Sequence, residues 1–140
     1  MLDIVDNPPD LTEKVCEAFR CQQFWHQGQL TDEFSVLFLK VRKGQWHRFF
    51  FDCGSLFWKT YEATDEVNTK LSDEFHYPQV DLSNRVPVVG RAITNINVKD
   101  WGDKVGLILS FEGHIEVILE NNSKDESSLS IVINGHRRKA

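Results

Sequence analysis

The sequence predicts an α+β domain: an N-terminal helix, one largely antiparallel, strongly curved sheet of about six strands, and a short second helix. Three observations predict it. Leu11, Val15, Ala18 and Phe19 fall on one helical stripe behind Asp10 and Glu13, a capping-box-like start. Residues 34–61 and 91–133 hold short apolar-rich runs between turn residues, and 105–120 alternate at the strand period. Between these blocks Val67, Leu71 and Phe75 recur every fourth residue behind Thr64, a helix-capping type.

The elements follow in chain order. Residues 1–9 are an extended lead-in ending at Pro8 and Pro9. The first helix is expected to run to the 22–27 region, with Gly28 just past its C-terminus. FSVLFLKVR (34–42) and WHRFFFDC (46–53) read as a hairpin. A two-residue Lys43–Gly44 turn would pair Arg42 with Gln45 and put Phe34, Val36 and Phe38 on the face of Phe49, Phe51 and Cys53. Gly54 and Ser55 interrupt the strand, and LFWKTY (56–61) resumes it. The second helix would end at His76, Tyr77 and Pro78, followed by an irregular connector over 79–90.

A meander then closes the domain: RAITNINVK (91–99), VGLILSFE (105–112), HIEVILE (114–120) and SLSIVI (128–133). The apolar faces of the middle two match only if Phe111 pairs with Ile115, which requires the three-residue loop Glu112, Gly113 and His114. Residues 120–127 read as a polar loop and 135–140 as a frayed tail, so residues 1–140 form one domain.

With 140 residues the chain is long enough to bury a core. The net charge of −5 weighs against nucleic acid as a partner. MLDIVDNPPD lacks the basic and apolar regions of a signal peptide, and no run approaches the roughly 20 apolar residues of a membrane span. Cys16, Cys21 and Cys53 are odd in number and sparse, which predicts reduced thiols and a cytoplasmic protein.

Catalytic and metal motifs are missing from the linear sequence. His26, His47, His76, His114 and His136 show no ligand spacing, and Cys16 and Cys21 have no partner pair. There is no Walker loop, dinucleotide fingerprint or nucleophile elbow. The expectation is no enzyme, no catalytic residue, no cofactor and no metal. Lys40, Arg42, Lys43 and Arg48 gather with Trp46 and His47 near one hairpin tip, a pattern read as charges guarding a sheet edge.

The unusual feature is acidic. Residues 62–82 carry Glu62, Asp65, Glu66, Asp73, Glu74 and Asp81 against Lys70 alone. This segment predicts a docking surface for a basic protein, with Asp65, Glu66, Asp73 and Glu74 supplying charge and Trp58 and Tyr61 as aromatic anchors. In size, charge and aromatic content over the whole chain, the sequence resembles the small acidic bacterial immunity proteins that neutralise toxin domains. That resemblance implies occlusion of a basic toxin domain and carries no site residues. Two alternatives stand beside it. One is a ligand pocket or active site inside the curved sheet, lined by Phe38, Phe49, Phe51 and Phe111 with His47 or Cys53 as its polar group. The other is a homo-oligomer joined along SLSIVI as an open sheet edge.

Overall fold

The computed structural model describes residues 3–4, 9–61, 68–70 and 74–140, the strands at 3–4 and 68–70 by their backbone only. Among the described residues twelve strands follow one another: β1 (Asp3–Ile4), β2 (Cys16–His26), β3 (Gln29–Val41), β4 (Trp46–Asp52), β5 (Ser55–Tyr61), β6 (Asn68–Lys70), β7 (Phe75–Asp81), β8 (Ile93–Asp100), β9 (Lys104–Phe111), β10 (Ile115–Asn122), β11 (Ser127–Ile133) and β12 (His136–Lys139). They form a seven-stranded sheet in the order β1-β5-β4-β3-β2-β7-β6 and a five-stranded sheet in the order β12-β11-β10-β9-β8. All pairings are antiparallel. The fold is therefore all-β, a two-sheet sandwich, and the α+β expectation is corrected. Among the described residues there is no helix, and so none long and apolar enough to cross a membrane.

The expected first helix is strand β2, and a bulge explains the misreading. The pairing of β2 with β3 shifts register between Cys16 and Ala18. The extra residue puts Cys16 and Phe19, both fully buried, three apart on the inner face, the spacing of a helical stripe. Asp10 caps no helix; its Oδ1 accepts the Thr12 N–H at 3.0 Å. Glu13 has φ of 71°, outside the helical region. Gln27 and Gly28, with φ of 50° and 76°, turn the β2–β3 hairpin instead of ending a helix.

The expected second helix is contradicted where it is described: Asn68–Lys70 and Phe75 onward are strands. Its remaining residues, 64–67 and 71–73, lie outside the described residues. Pro78 is accommodated inside β7 opposite the irregular part of β2, where no bridge links residues 23 and 24 to β7.

The β3–β4 hairpin exists, one residue out of the expected register. Lys40 pairs with Trp46 and Leu37 with Phe49, so the loop has three residues, Arg42, Lys43 and Gly44, between Val41 and Gln45. A slip of one residue exchanges faces. Leu37, Leu39, Phe49 and Phe51 point into the core, whereas Val36, Phe38 and Trp46 form a second cluster on the outer face with Phe50 and Tyr61. Phe38 thus faces away from Phe49, Phe51 and Phe111, and the four cannot line one pocket.

The meander matches its expectation closely. Ile115 pairs with Phe111 across the three-residue loop. Leu129 and Ile131 are buried, and Ile133 packs on the same core. Residues 135–140 are not frayed: β12 pairs along β11, so SLSIVI is an inner strand and not an open edge.

One core joins the sheets. Phe19, Leu37, Leu39 and Phe49 meet Leu107, Leu109, Val117, Leu119 and Ile131, and the connector after β7 adds Leu82, Val86 and Val88. Along one side the sheets are also stitched by backbone: Glu13 N–H to Ile93 O at 2.7 Å and Cys16 N–H to Arg91 O at 3.0 Å. His47 lies buried in this interior and accepts the Trp58 indole N–H at 3.0 Å. Burial lowers its pKa from the usual histidine value.

Candidate functional site

The expected docking residues are not brought together by the structure. Trp58 packs on the inner core, its N–H committed to His47. Tyr61, three residues along β5, is on the opposite face, where its hydroxyl accepts from Arg48 at 3.2 Å and Lys59 sits over its ring at 5.0 Å. Glu74 is exposed near the β2–β3 turn, paired with His26 at 3.0 Å. Asp65, Glu66 and Asp73 lie outside the described residues. The basic hairpin residues also disperse: Lys40 bonds Glu17 at 2.7 Å, Arg48 turns to Phe50 and Tyr61, and Arg20 covers Trp46 at 5.3 Å.

A different constellation forms at one end of the sandwich, where the β4–β5 turn and the β10–β11 loop approach β3. The β4–β5 turn has two residues, Cys53 and Gly54, with φ of 49° and 79°, between the paired Asp52 and Ser55. In the β10–β11 loop, Asn122 Oδ1 accepts the N–H groups of Lys124 and Glu126 at 2.9 and 3.0 Å. This closure turns Asp125 (φ of 59°) back toward the other sheet. Its Oδ1 accepts the Cys53 N–H at 3.2 Å and the Asn121 side-chain amide at 3.0 Å.

Beside these loops is an open hollow of about 550 Å³. Phe24, Phe50, Phe51 and Tyr77 are its aromatic lining, and Asp32, Asp52, Asp125 and Glu126 its carboxylates. Phe24 belongs to a stacked column, 5.3 Å from Tyr77 and 6.2 Å from Phe75. Phe50 stacks on Phe57 at 5.0 Å. Asp32 is part-buried, and its carboxyl is pushed up to about 6. Loss of solvation is the largest cause and the nearby Asp125 and Glu126 add to it, against a hydrogen bond from the Phe34 N–H at 3.1 Å. Among the described residues no basic side chain forms an ion pair with Asp32. Two basic residues, Arg48 and Lys124, also line the hollow; Arg48 lies 4.8 Å over Phe50 and donates to Tyr61.

A second hollow, about 420 Å³, adjoins the first through Asp125 and is lined also by Cys53, Asp100, Asp103 and Asn121. Cys53 is exposed, whereas Cys16 and Cys21 are buried. Burial pushes those two thiols up to about 12.

Carboxylates and aromatic faces around one concave space can hold a cation: the acids supply charge and the ring faces supply quadrupole attraction. Reading along the chain missed this site because Asp32, Asp52 and Asp125 stand 20 or more residues apart. The available signals were small: a Cys-Gly hairpin turn behind Asp52, and NNSKDE as a loop rich in side-chain turn formers.

Compared with protein families, curated proteins and solved structures, the chain matches none. The class is defined by fold and site alone: a β-sandwich domain with an acidic, aromatic-lined hollow at one end of its sheets.

Proposed function

We propose that this domain binds a basic protein and takes one of its lysine or arginine side chains into the hollow between Phe24, Phe50, Tyr77 and Asp32. The observation that carries this reading is the Asp32 carboxyl, part-buried beside aromatic rings with no cation paired to it among the described residues. A guest cation would compensate the desolvated charge, and Asp52, Asp125 and Glu126 would guide its approach. The chain's resemblance in size and charge to immunity proteins makes a basic toxin domain a partner of this kind, blocked by charge and shape. A cytoplasmic setting suits the three free cysteines. The contact differs from the one the sequence suggests, since Trp58 is committed to the core.

The test is titration of the protein with a hepta-arginine peptide, followed by calorimetry at low and high salt. Binding at low salt that weakens at least fivefold in both Asp32→Asn and Phe24→Ala supports the hollow as the contact. Equal affinity of both variants and the parent chain would overturn it.

A further inference from the structure

We infer that the His47–Trp58 pair is an acid-sensitive latch, which holds the β1–β5 edge of the seven-stranded sheet on β4 and loosens when the imidazole gains a proton. The two rings stand on adjacent strands with centroids 5.9 Å apart and planes 13° from parallel. The Trp58 indole N–H donates to His47 Nδ1 at 3.0 Å, so Nδ1 carries the lone pair and the ring is neutral. Among the described residues this is the one side-chain hydrogen bond between β4 and β5 on the inner face; Arg48 and Tyr61 make the other outside. In the sheet, β5 is joined on one side to β4 and on the other to β1, a strand of two residues. The edge therefore depends on its contact with β4.

Protonation breaks the pair in two ways. A proton on Nδ1 turns the acceptor into a donor, so two N–H groups face each other. The cation also lies on a residue only 7% exposed, where an unpaired charge is costly. Among the described residues no carboxylate offsets it. Its cross-strand neighbours are Leu39 and Thr60, and Phe49 stacks on it at 6.5 Å. Lys40, Arg48 and Lys59 belong to the outer face, where they engage Glu17, the Tyr61 hydroxyl and the Tyr61 ring. The other titratable side chains buried on the inner faces are the Cys16 and Cys21 thiols, pushed up to about 12 and uncharged at neutral or acid pH. Glu120, on the outer face of the five-stranded sheet, is taken up by Lys104 and Arg137. Asp3, opposite Trp58, is described by its backbone only. Asp32 stands seven residues along β3 from Leu39, roughly 23 Å at about 3.3 Å per residue. Burial lowers the His47 pKa, so the pair's contribution is complete above pH 6.5 and is lost as pH falls through the folded value. Asp32 acts with the opposite sign.

The experiment is nitrogen–proton NMR of the full chain from pH 7.5 to 4.5, with the Trp58 indole signal assigned by its loss in Trp58→Phe. That signal should shift or broaden with a midpoint below 6.5, while the Trp101 indole stays in place. Amide exchange, corrected for its intrinsic pH dependence, should quicken at least tenfold over Ser55–Tyr61 between pH 7 and 5, and less than twofold over Lys104–Phe111. His47→Gln keeps an acceptor for the indole and never ionises, so both responses should vanish in it. Asp32→Asn should keep both, which separates the latch from the cation hollow. An indole signal unmoved over the range, an exchange response that survives His47→Gln, or equal quickening in both sheets would each overturn the latch. Should His47→Gln fail to fold, the His47 ring protons of the parent chain decide, since they must titrate with the midpoint of the indole.

Discussion

Replacing Asp32 with asparagine should make the protein more stable and a poorer binder at once. The carboxyl is shifted from 3.8 to about 6, mainly because it has lost solvent. At about 1.36 kcal/mol per unit, the full shift would be worth roughly 3 kcal/mol. The group is only part-buried, and solvent screening reduces this to about 1 kcal/mol. The folded pKa lies above the unfolded one, so the native state holds its proton more tightly. That stabilisation is complete below pH 3.8 and is lost as pH rises through 6. Asparagine keeps an oxygen for the Phe34 N–H and never ionises. Urea unfolding at pH 4, 5, 6 and 7 should show the two proteins converging near pH 4 and the variant ahead by about 1 kcal/mol at pH 7, a gain of roughly 4 °C in Tm. A variant less stable at pH 7, or a difference that does not change with pH, would refute the reasoning. The carboxylate would then be well solvated, and the case for a waiting cation site would fall with it.

Two further outcomes test the architecture. Phe49→Ala should cost about 3–5 kcal/mol in urea unfolding, because the ring is fully buried in the inner core. Phe50→Ala, on the outer face and part-exposed, should cost about half as much or less, and equal losses would contradict the observed register. Glu120 is buried, paired with Lys104 on one oxygen and Arg137 on the other. Glu120→Gln should loosen β12, read as at least tenfold faster amide hydrogen exchange over His136–Lys139 with little change in the core strands. Unchanged exchange there would show that β12 is held by its backbone ladder alone.

How much of this was legible in the sequence depends on how local the information is. The β9–β10 register was readable because two alternating faces admit only one loop parity, and Phe111 does meet Ile115. The β3–β4 register was not, since strands that are apolar on both faces, such as Val36-Leu37-Phe38-Leu39, accept either parity. The bulge after Cys16 made a strand look helical by adding one residue to its period. The hollow was out of reach for a different reason: β3, β4 and the β10–β11 loop place Asp32, Asp52 and Asp125 together only after both sheets have formed and docked.

The bond from the Cys53 N–H to Asp125 therefore has a thermodynamic consequence. Its donor belongs to a turn of the seven-stranded sheet and its acceptor to a loop of the five-stranded one. Whatever occupies either hollow touches both layers, so it is bound by the docked sandwich and by neither layer alone. Occupancy is thereby linked to cohesion: a ligand at a hundred times its Kd would add about 2.7 kcal/mol against separation of the sheets. The occupied end becomes a clasp, and unfolding would start from the opposite end.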